Sequence, residues 1–211
     1  DLDWRTSGGP LVFNSIYTSE HYDARLEQPG WSSPGFDDSA WDGVMYRSAP
    51  SQRVTAQQTV PIRNITQYKP RSVRKLDERS YLYDFGQNMA GVTKLRLRGE
   101  AGTQLRLIHA ERLREDGHAD LSNIDVYFRP TDKDDLFQTD VVTLSGRDDE
   151  FMPRFNYKGF RYVEVVADRP VELSAENLTA YAMHSDVAPA GHIETSNDLV
   201  DKLWDATNKA Y

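Results

Sequence analysis

The sequence predicts an all-β protein, an antiparallel β-sandwich or jelly roll, closed by one amphipathic C-terminal helix. Residues 92–98 read V-T-K-L-R-L-R and residues 103–110 read T-Q-L-R-L-I-H-A, with Gly99 and Gly102 between them. Strict alternation bounded by glycine is the pattern of a half-buried antiparallel hairpin, with Leu95, Leu97, Leu105 and Leu107 facing the core. Further runs at 138–144, 160–166 and 178–183 are β-branched or aromatic and are separated by turn clusters, as in a sandwich. From Thr195 the spacing changes to three and four, through Leu199, Val200, Leu203, Trp204, Thr207, Ala210 and Tyr211. That is one face of a helix, with Thr195 or Ser196 as cap and Asp198 in the first turn.

In chain order, the first fifty residues are irregular and rich in turns. Trp4 and the Gly8-Gly9-Pro10 turn lead to a short strand at 11–13, and residues 16–26 cross a surface. Three turns then follow, each carrying a large aromatic: Trp31, Phe36 and Trp41. Packing is the commoner use of such rings, and stacking on the apolar face of a sugar is the alternative. Residues 51–80 are polar and proline-spaced, with Val60-Pro61-Ile62 as an edge strand or extended crossing. The segment 83–91, Y-D-F-G-Q-N-M-A-G, joins a strand to a polar turn ahead of the alternating pair. An extended loop spans 112–133. We find no internal repeat and no low-complexity segment.

Composition narrows the chemistry. A chain of 211 residues can bury a core without staples, and it contains no cysteine, which excludes disulfides and thiolate metal or redox sites. A net charge of -8 with pI ≈ 5.1 argues against nucleic acid or an anionic membrane as the main partner. No apolar run reaches the roughly 18 residues of a membrane span. The chain opens at Asp1 without methionine, so we expect a piece of something longer, whose export signal would lie elsewhere. The terminal helix, with an apolar face and no partner helix, suggests a helical domain downstream or docking back onto the sandwich.

Candidate functional residues fall into two groups. His109 and Glu111 share strand parity with Leu105 and Leu107, so they are either buried with partners or aimed into a rim pocket. Arg161 lies on the face of Val163 and Val165 and would pair with Glu111 if the strands are neighbours. Asp84, Gln87 and Asn88 sit beside Gly86 and Gly91, where amides and carboxylates suit sugar hydroxyls or the turn's own backbone equally. A structural ion pair is the blander reading of the charged residues. Asp132, Asp134, Asp135 and Asp140 have a spacing that resembles a calcium loop, but glycine and the terminal glutamate are missing, which favours a solvated acidic loop. The histidines show no metal-ligand spacing, and there is no phosphate loop and no G-x-S-x-G turn. Glycosidase chemistry needs two carboxylates flanking a bond, and the sequence nominates many such pairs.

Several segments together resemble bacterial α-L-rhamnosidases of glycoside hydrolase family 78. They are Ile16-Tyr17 with Glu20, Tyr22-Asp23-Ala24-Arg25, Gly30-Trp31, the run from Asp84 to Gly91, His109-Ala110-Glu111, and the run F-N-Y-K-G-F-R-Y-V-E-V at 155–165. The likeness runs in order along nearly the whole chain. It implies a multidomain, periplasmic or extracellular inverting glycoside hydrolase, with β-sandwiches ahead of an (α/α)6 barrel that removes terminal α-L-rhamnose. By that likeness residues 1–45 are the tail of a preceding sandwich and linker, 46–185 the jelly-roll sandwich before the barrel, and 186–211 a linker and the barrel's first helix. The family's acidic motif has no counterpart here, so no catalytic residue carries over. The reading is a non-catalytic segment that packs on the downstream catalytic domain of the same chain and helps shape its cleft, with a carbohydrate as partner. The rivals are a self-sufficient module binding L-rhamnose-containing sugars, and an autonomous hydrolase using Asp84 and Glu111. The residues nominated to meet sugar or the neighbouring domain are Asp84, Gln87, Asn88, His109, Glu111, Arg161, Trp31 and Trp41. No metal site is expected, with calcium the sole cofactor entertained.

Overall fold

The computed structural model describes residues 3–127 and 135–210. Its strands, in chain order, are β1 (Arg5–Thr6), β2 (Leu11–Asn14), β3 (Glu20–Asp23), β4 (Asp42–Gly43), β5 (Ile62–Tyr68), β6 (Ser72–Lys75) and β7 (Ser80–Arg98). They continue with β8 (Gln104–Ala110), β9 (Arg112–Leu113), β10 (Ala119–Asp120), β11 (Thr139–Thr143), β12 (Asp148–Phe151), β13 (Lys158–Ala167) and β14 (Leu178–Ser185), followed by helix α1 (Asp198–Ala210).

The main sheet runs β2-β3-β11-β8-β13-β7-β14-β5 and curls on itself because β7 belongs to both layers. Its first half lies between β6 and β13, and its second half between β12 and β14. The change of partners falls at Gly91, paired with Lys158 on one side and Ala182 on the other. A Cβ there would stand 2.0 Å from the Tyr181 carbonyl oxygen, so only glycine permits the crossing. One cluster fills the space between the layers, and Tyr83, Leu105, Leu107, Phe160, Val163, Val165 and Leu178 are fully buried within it.

The alternation at 92–110 places its leucines as expected, with Leu95, Leu97, Leu105 and Leu107 all buried. The expected hairpin does not form. β7 and β8 are separated in the sheet by β13, which pairs with both. The intervening turn arches from one layer to the other and is fastened to Leu144 by the Gly102 N–H, 2.8 Å, and the Thr103 carbonyl, 2.9 Å. Period two dictates which face is apolar but not which strand lies alongside, and here the two apolar faces meet through the core.

The N-terminal segment joins the same sheet. β3 runs parallel to β11, a pairing that stands beside the antiparallel ones, and β2 closes that edge. Residue 62 opens β5, an edge strand paired with β14. The stretch beyond Arg112 is not all loop, since β9 and β10 form a small hairpin against β8 and β13. In α1 the cap is Asn197 rather than Thr195 or Ser196: its Oδ1 accepts the Leu199 N–H at 3.0 Å. Thr195 closes the box instead, donating its hydroxyl and its N–H to Asp201 at 2.9 Å each. The apolar face of α1 is open, with Leu199 64% and Leu203 60% exposed.

Candidate functional site

The bend of β7 between Asp84 and Gly91 gathers most of the nominated residues at one rim. Asp84 precedes Gly86, which adopts φ 83°, and its Oδ1 accepts the Gly86 N–H at 2.7 Å, fixing the turn. Arg161 forks onto the same carboxylate, Nε to Oδ1 and Nη2 to Oδ2, both 2.9 Å. That bidentate pair, more than the Gly86 N–H, holds the Asp84 carboxyl below the usual carboxylate range. Arg161 therefore does not pair with Glu111, although β8 and β13 are neighbours: β7 lies on the other side of β13 and puts Asp84 opposite Tyr162. Glu111, just beyond β8, accepts from Asn88 Nδ2 at 2.8 Å and from Asn123 Nδ2 at 3.4 Å. Gln87 is half-buried between the two pairs in sequence. The rim thus carries one guanidinium–carboxylate fork and one amide–carboxylate pair, with exposed Asn88 at its edge.

His109 lies behind this rim, in the core. It is fully buried, edge-on to Phe160 at 5.0 Å between ring centroids. Its Nδ1 lies 3.3 Å from the Gln138 carbonyl and its Nε2 lies 2.9 Å from Thr93 Oγ1. A carbonyl only accepts, so Nδ1 carries the proton and Nε2 takes the threonine hydroxyl. Burial, with Lys158 nearby, pushes its pKa down to about 4. Gln138 is held at φ 55°, a left-handed conformation costly to a residue with a Cβ. Its carbonyl serves both the backbone and the ring of His109, and its amide bonds the Gly159 carbonyl at 2.9 Å.

Trp31 and Trp41 belong to a different place, the seam between the N-terminal segment and the sandwich. Trp41 is packed, its ring tilted on Phe36 at 5.5 Å and its Nε1 donating to Gln28 Oε1 at 2.9 Å. Trp31 is 63% exposed. Both border a groove of about 630 Å³ that also meets Arg5, Tyr22, Phe151 and Arg154. The nominated residues therefore divide between two surfaces and the core.

Of the acidic loop, Asp132 and Asp134 lie outside the described residues. Asp135 accepts from the Thr18 hydroxyl. Asp140 is fully buried and takes the Lys158 ammonium at 2.7 Å. The described residues hold no group of three or more histidine and acidic side chains placed to bind a metal.

Sequence reasoning missed the polar seam itself. Asp140 Oδ1 also accepts the Glu20 N–H at 2.9 Å, while Glu20 Oε1 caps the N–H groups of Arg154 at 2.8 Å and Phe155 at 2.6 Å. Burial pushes the Glu20 carboxyl up, against those two hydrogen bonds. Lys158 is shared with Asn156, and Asp140 Oδ2 has no hydrogen-bond partner among the described residues. Parity was the available signal: Asp140 shares a face with Val142 and Leu144, both buried. A second missed pair is buried Glu164, which accepts the Ala119 N–H at 2.8 Å and contacts His118 Nδ1 at 2.7 Å.

The model of the bacterial α-L-rhamnosidase concanavalin-like domain matches residues 74–184. The chain belongs to the bacterial α-L-rhamnosidase family. The α-L-rhamnosidase N-terminal domain matches residues 1–66, so the polar seam around Glu20 and Asp140 joins the two matched segments. An α-L-rhamnosidase of Streptomyces avermitilis is 38% identical over 205 residues, and one of Formosa agariphila is 33% identical over 209. These alignments take in 95% and 96% of this chain but 19% and 21% of the relatives. Among solved structures, Streptomyces avermitilis α-L-rhamnosidase complexed with L-rhamnose superposes with TM-score 0.86 at 36% identity, over 99% of this chain and 20% of that one. The Aspergillus terreus enzyme gives 0.84 at 34% identity, over 100% and 23%. The chain thus spans about a fifth of the family members it matches.

Proposed function

We propose that this chain is a non-catalytic β-sandwich segment of an exported α-L-rhamnosidase, and that it packs on the catalytic domain and shapes one wall of its cleft. The observation that carries the reading is the extent of the match: nearly all of this chain aligns with about a fifth of enzymes named α-L-rhamnosidase. The chemistry of the rim agrees. An inverting glycosidase needs one carboxyl kept protonated as general acid and a second, ionised, as base. Asp84 is forked by Arg161 and held ionised, which unfits it to donate a proton. Glu20 is the carboxyl that burial pushes up, but it is spent on two backbone N–H groups and is 2% exposed. The open apolar face of α1 supplies the contact for a neighbouring helical domain.

The test is turnover of an aryl α-L-rhamnoside by the 211-residue chain alone. No hydrolysis above background is expected. Turnover that survives purification and disappears in Glu111→Gln would instead make the chain an autonomous hydrolase.

A further inference from the structure

Glu164 lies on the outer face of the main sheet and is nonetheless buried. Val163 and Val165 point into the core, so the residue between them points away from it, yet Glu164 is 5% exposed. Register sets it in one row across that face: Arg74 of β6 beside Leu82 of β7, Leu82 beside Glu164 of β13, and Glu164 beside Ile108 of β8. The β9–β10 hairpin is bonded to the members of the row on either side of Leu82, which is itself 5% exposed. Glu164 Oε2 accepts the Ala119 N–H at 2.8 Å, and its Oε1 lies 2.7 Å from His118 Nδ1. Arg74 Nη2 donates to the Gly117 carbonyl at 2.8 Å. Gly117 adopts φ 86°, and a Cβ there would stand 2.4 Å from Arg74 Nη2, so the tip of the hairpin takes glycine.

The other end of the hairpin reaches the rim. Glu111 directly precedes β9, so the entry strand of the hairpin fixes its backbone. Asn123, just past β10, donates to Glu111 Oε2 at 3.4 Å, and Asn88 donates to Oε1 at 2.8 Å. Arg112 braces the base, its Nε 3.0 Å from Asp120 Oδ2 and its Nη2 donating to Ser122 Oγ at 3.0 Å, while the Ser122 N–H returns to Asp120 Oδ1 at 2.9 Å. We propose that the hairpin is a strut, and that Glu164 and Arg74 are positioning residues which fix, through it, where the Glu111 carboxylate stands at the rim. This rests on the cleft reading above and adds to it the means by which the rim is held. A hairpin that merely covered the sheet could do so with apolar contacts alone. A buried carboxyl with both oxygens engaged specifies one seat rather than a range of them. Side chains that must hold one geometry need such a supporting layer of hydrogen bonds, and here it lies on the outer face of the sheet.

The experiment records the side-chain amide resonances of Asn88 and Asn123, and the exchange rate of the Ala119 N–H, in the 211-residue chain, with Glu111→Ala as the reference for a lost rim carboxylate. In Glu164→Ala the Ala119 N–H should exchange about tenfold faster or more, and both amide resonances should move toward their positions in Glu111→Ala. Glu164→Gln, whose amide oxygen still accepts the Ala119 N–H, should restore most of both. Arg74→Met, a change at an exposed residue, should move the same resonances in the same direction, and it decides the matter alone where Glu164→Ala does not fold. Asn88 and Asn123 resonances that stay in place in the folded variants, whether or not the Ala119 N–H is released, would overturn the proposal. Turnover enters neither readout, so the strut can fail while the cleft reading stands, and the reverse.

Discussion

Acidification should unlock the core through His109. The ring is fully buried and neutral, with both nitrogens occupied by Gln138 and Thr93, and a second proton would place a charge in the core and force the Thr93 hydroxyl to turn from donor to acceptor. The unfolded chain takes that proton near pH 6.5, whereas the folded one takes it only near pH 4. Between those values the unfolded state binds more protons, so stability is complete above pH 6.5 and is lost as the pH falls. The slope is about 1.4 kcal/mol per pH unit, about 3 kcal/mol over the window. The raised carboxyl of Glu20 acts with the opposite sign, favouring the folded state as pH falls, so the comparison must be internal. Urea unfolding of the native chain and His109→Gln at pH 7.5 and pH 5 supplies it. The native chain should be the more stable at pH 7.5, and its margin should narrow by about 2 kcal/mol at pH 5. A margin equal at the two pH values would refute the buried, neutral histidine.

Two other perturbations test the architecture. Leu107→Ala removes a fully buried side chain from between the layers and should cost about 2–5 kcal/mol, while Leu199→Ala on the open face of α1 should change stability by no more than about 0.5 kcal/mol, both read as denaturant midpoints. Gly91→Ala forces a Cβ against the Tyr181 carbonyl and should abolish amide protection along β14 near Tyr181 while sparing β8, as hydrogen exchange would report.

Much of the fold was legible because alternation reports burial directly. The leucines of β7 and β8, the strands at β11, β13 and β14, and α1 all follow from periods of two and of three to four. The pairing was not legible, since an arch between layers and a hairpin within one share a pattern, and nothing local to residues 99–103 tells them apart. The rim was half legible. Asp84, Asn88, Glu111 and Arg161 do converge, but their partners depend on β13 lying between β7 and β8, which is a long-range fact. Trp31 and Trp41 read as turn aromatics and proved to border a seam whose charged members, Glu20, Asp140 and Lys158, come from three separate stretches of chain. A buried ion pair of that kind leaves only a parity clue, and at Asp140 the acidic run just before it in sequence masks that clue.

A sandwich that serves a catalytic cleft formed elsewhere in the enzyme, as we propose, must act on turnover through its rim. The most direct measurement is kcat/KM for an aryl α-L-rhamnoside by the parent enzyme carrying Asn88→Ala with Glu111→Ala. If the rim forms part of the cleft, kcat/KM should fall about tenfold or more while the unfolding midpoint of the sandwich holds. An unchanged kcat/KM with the rim erased would contradict the account.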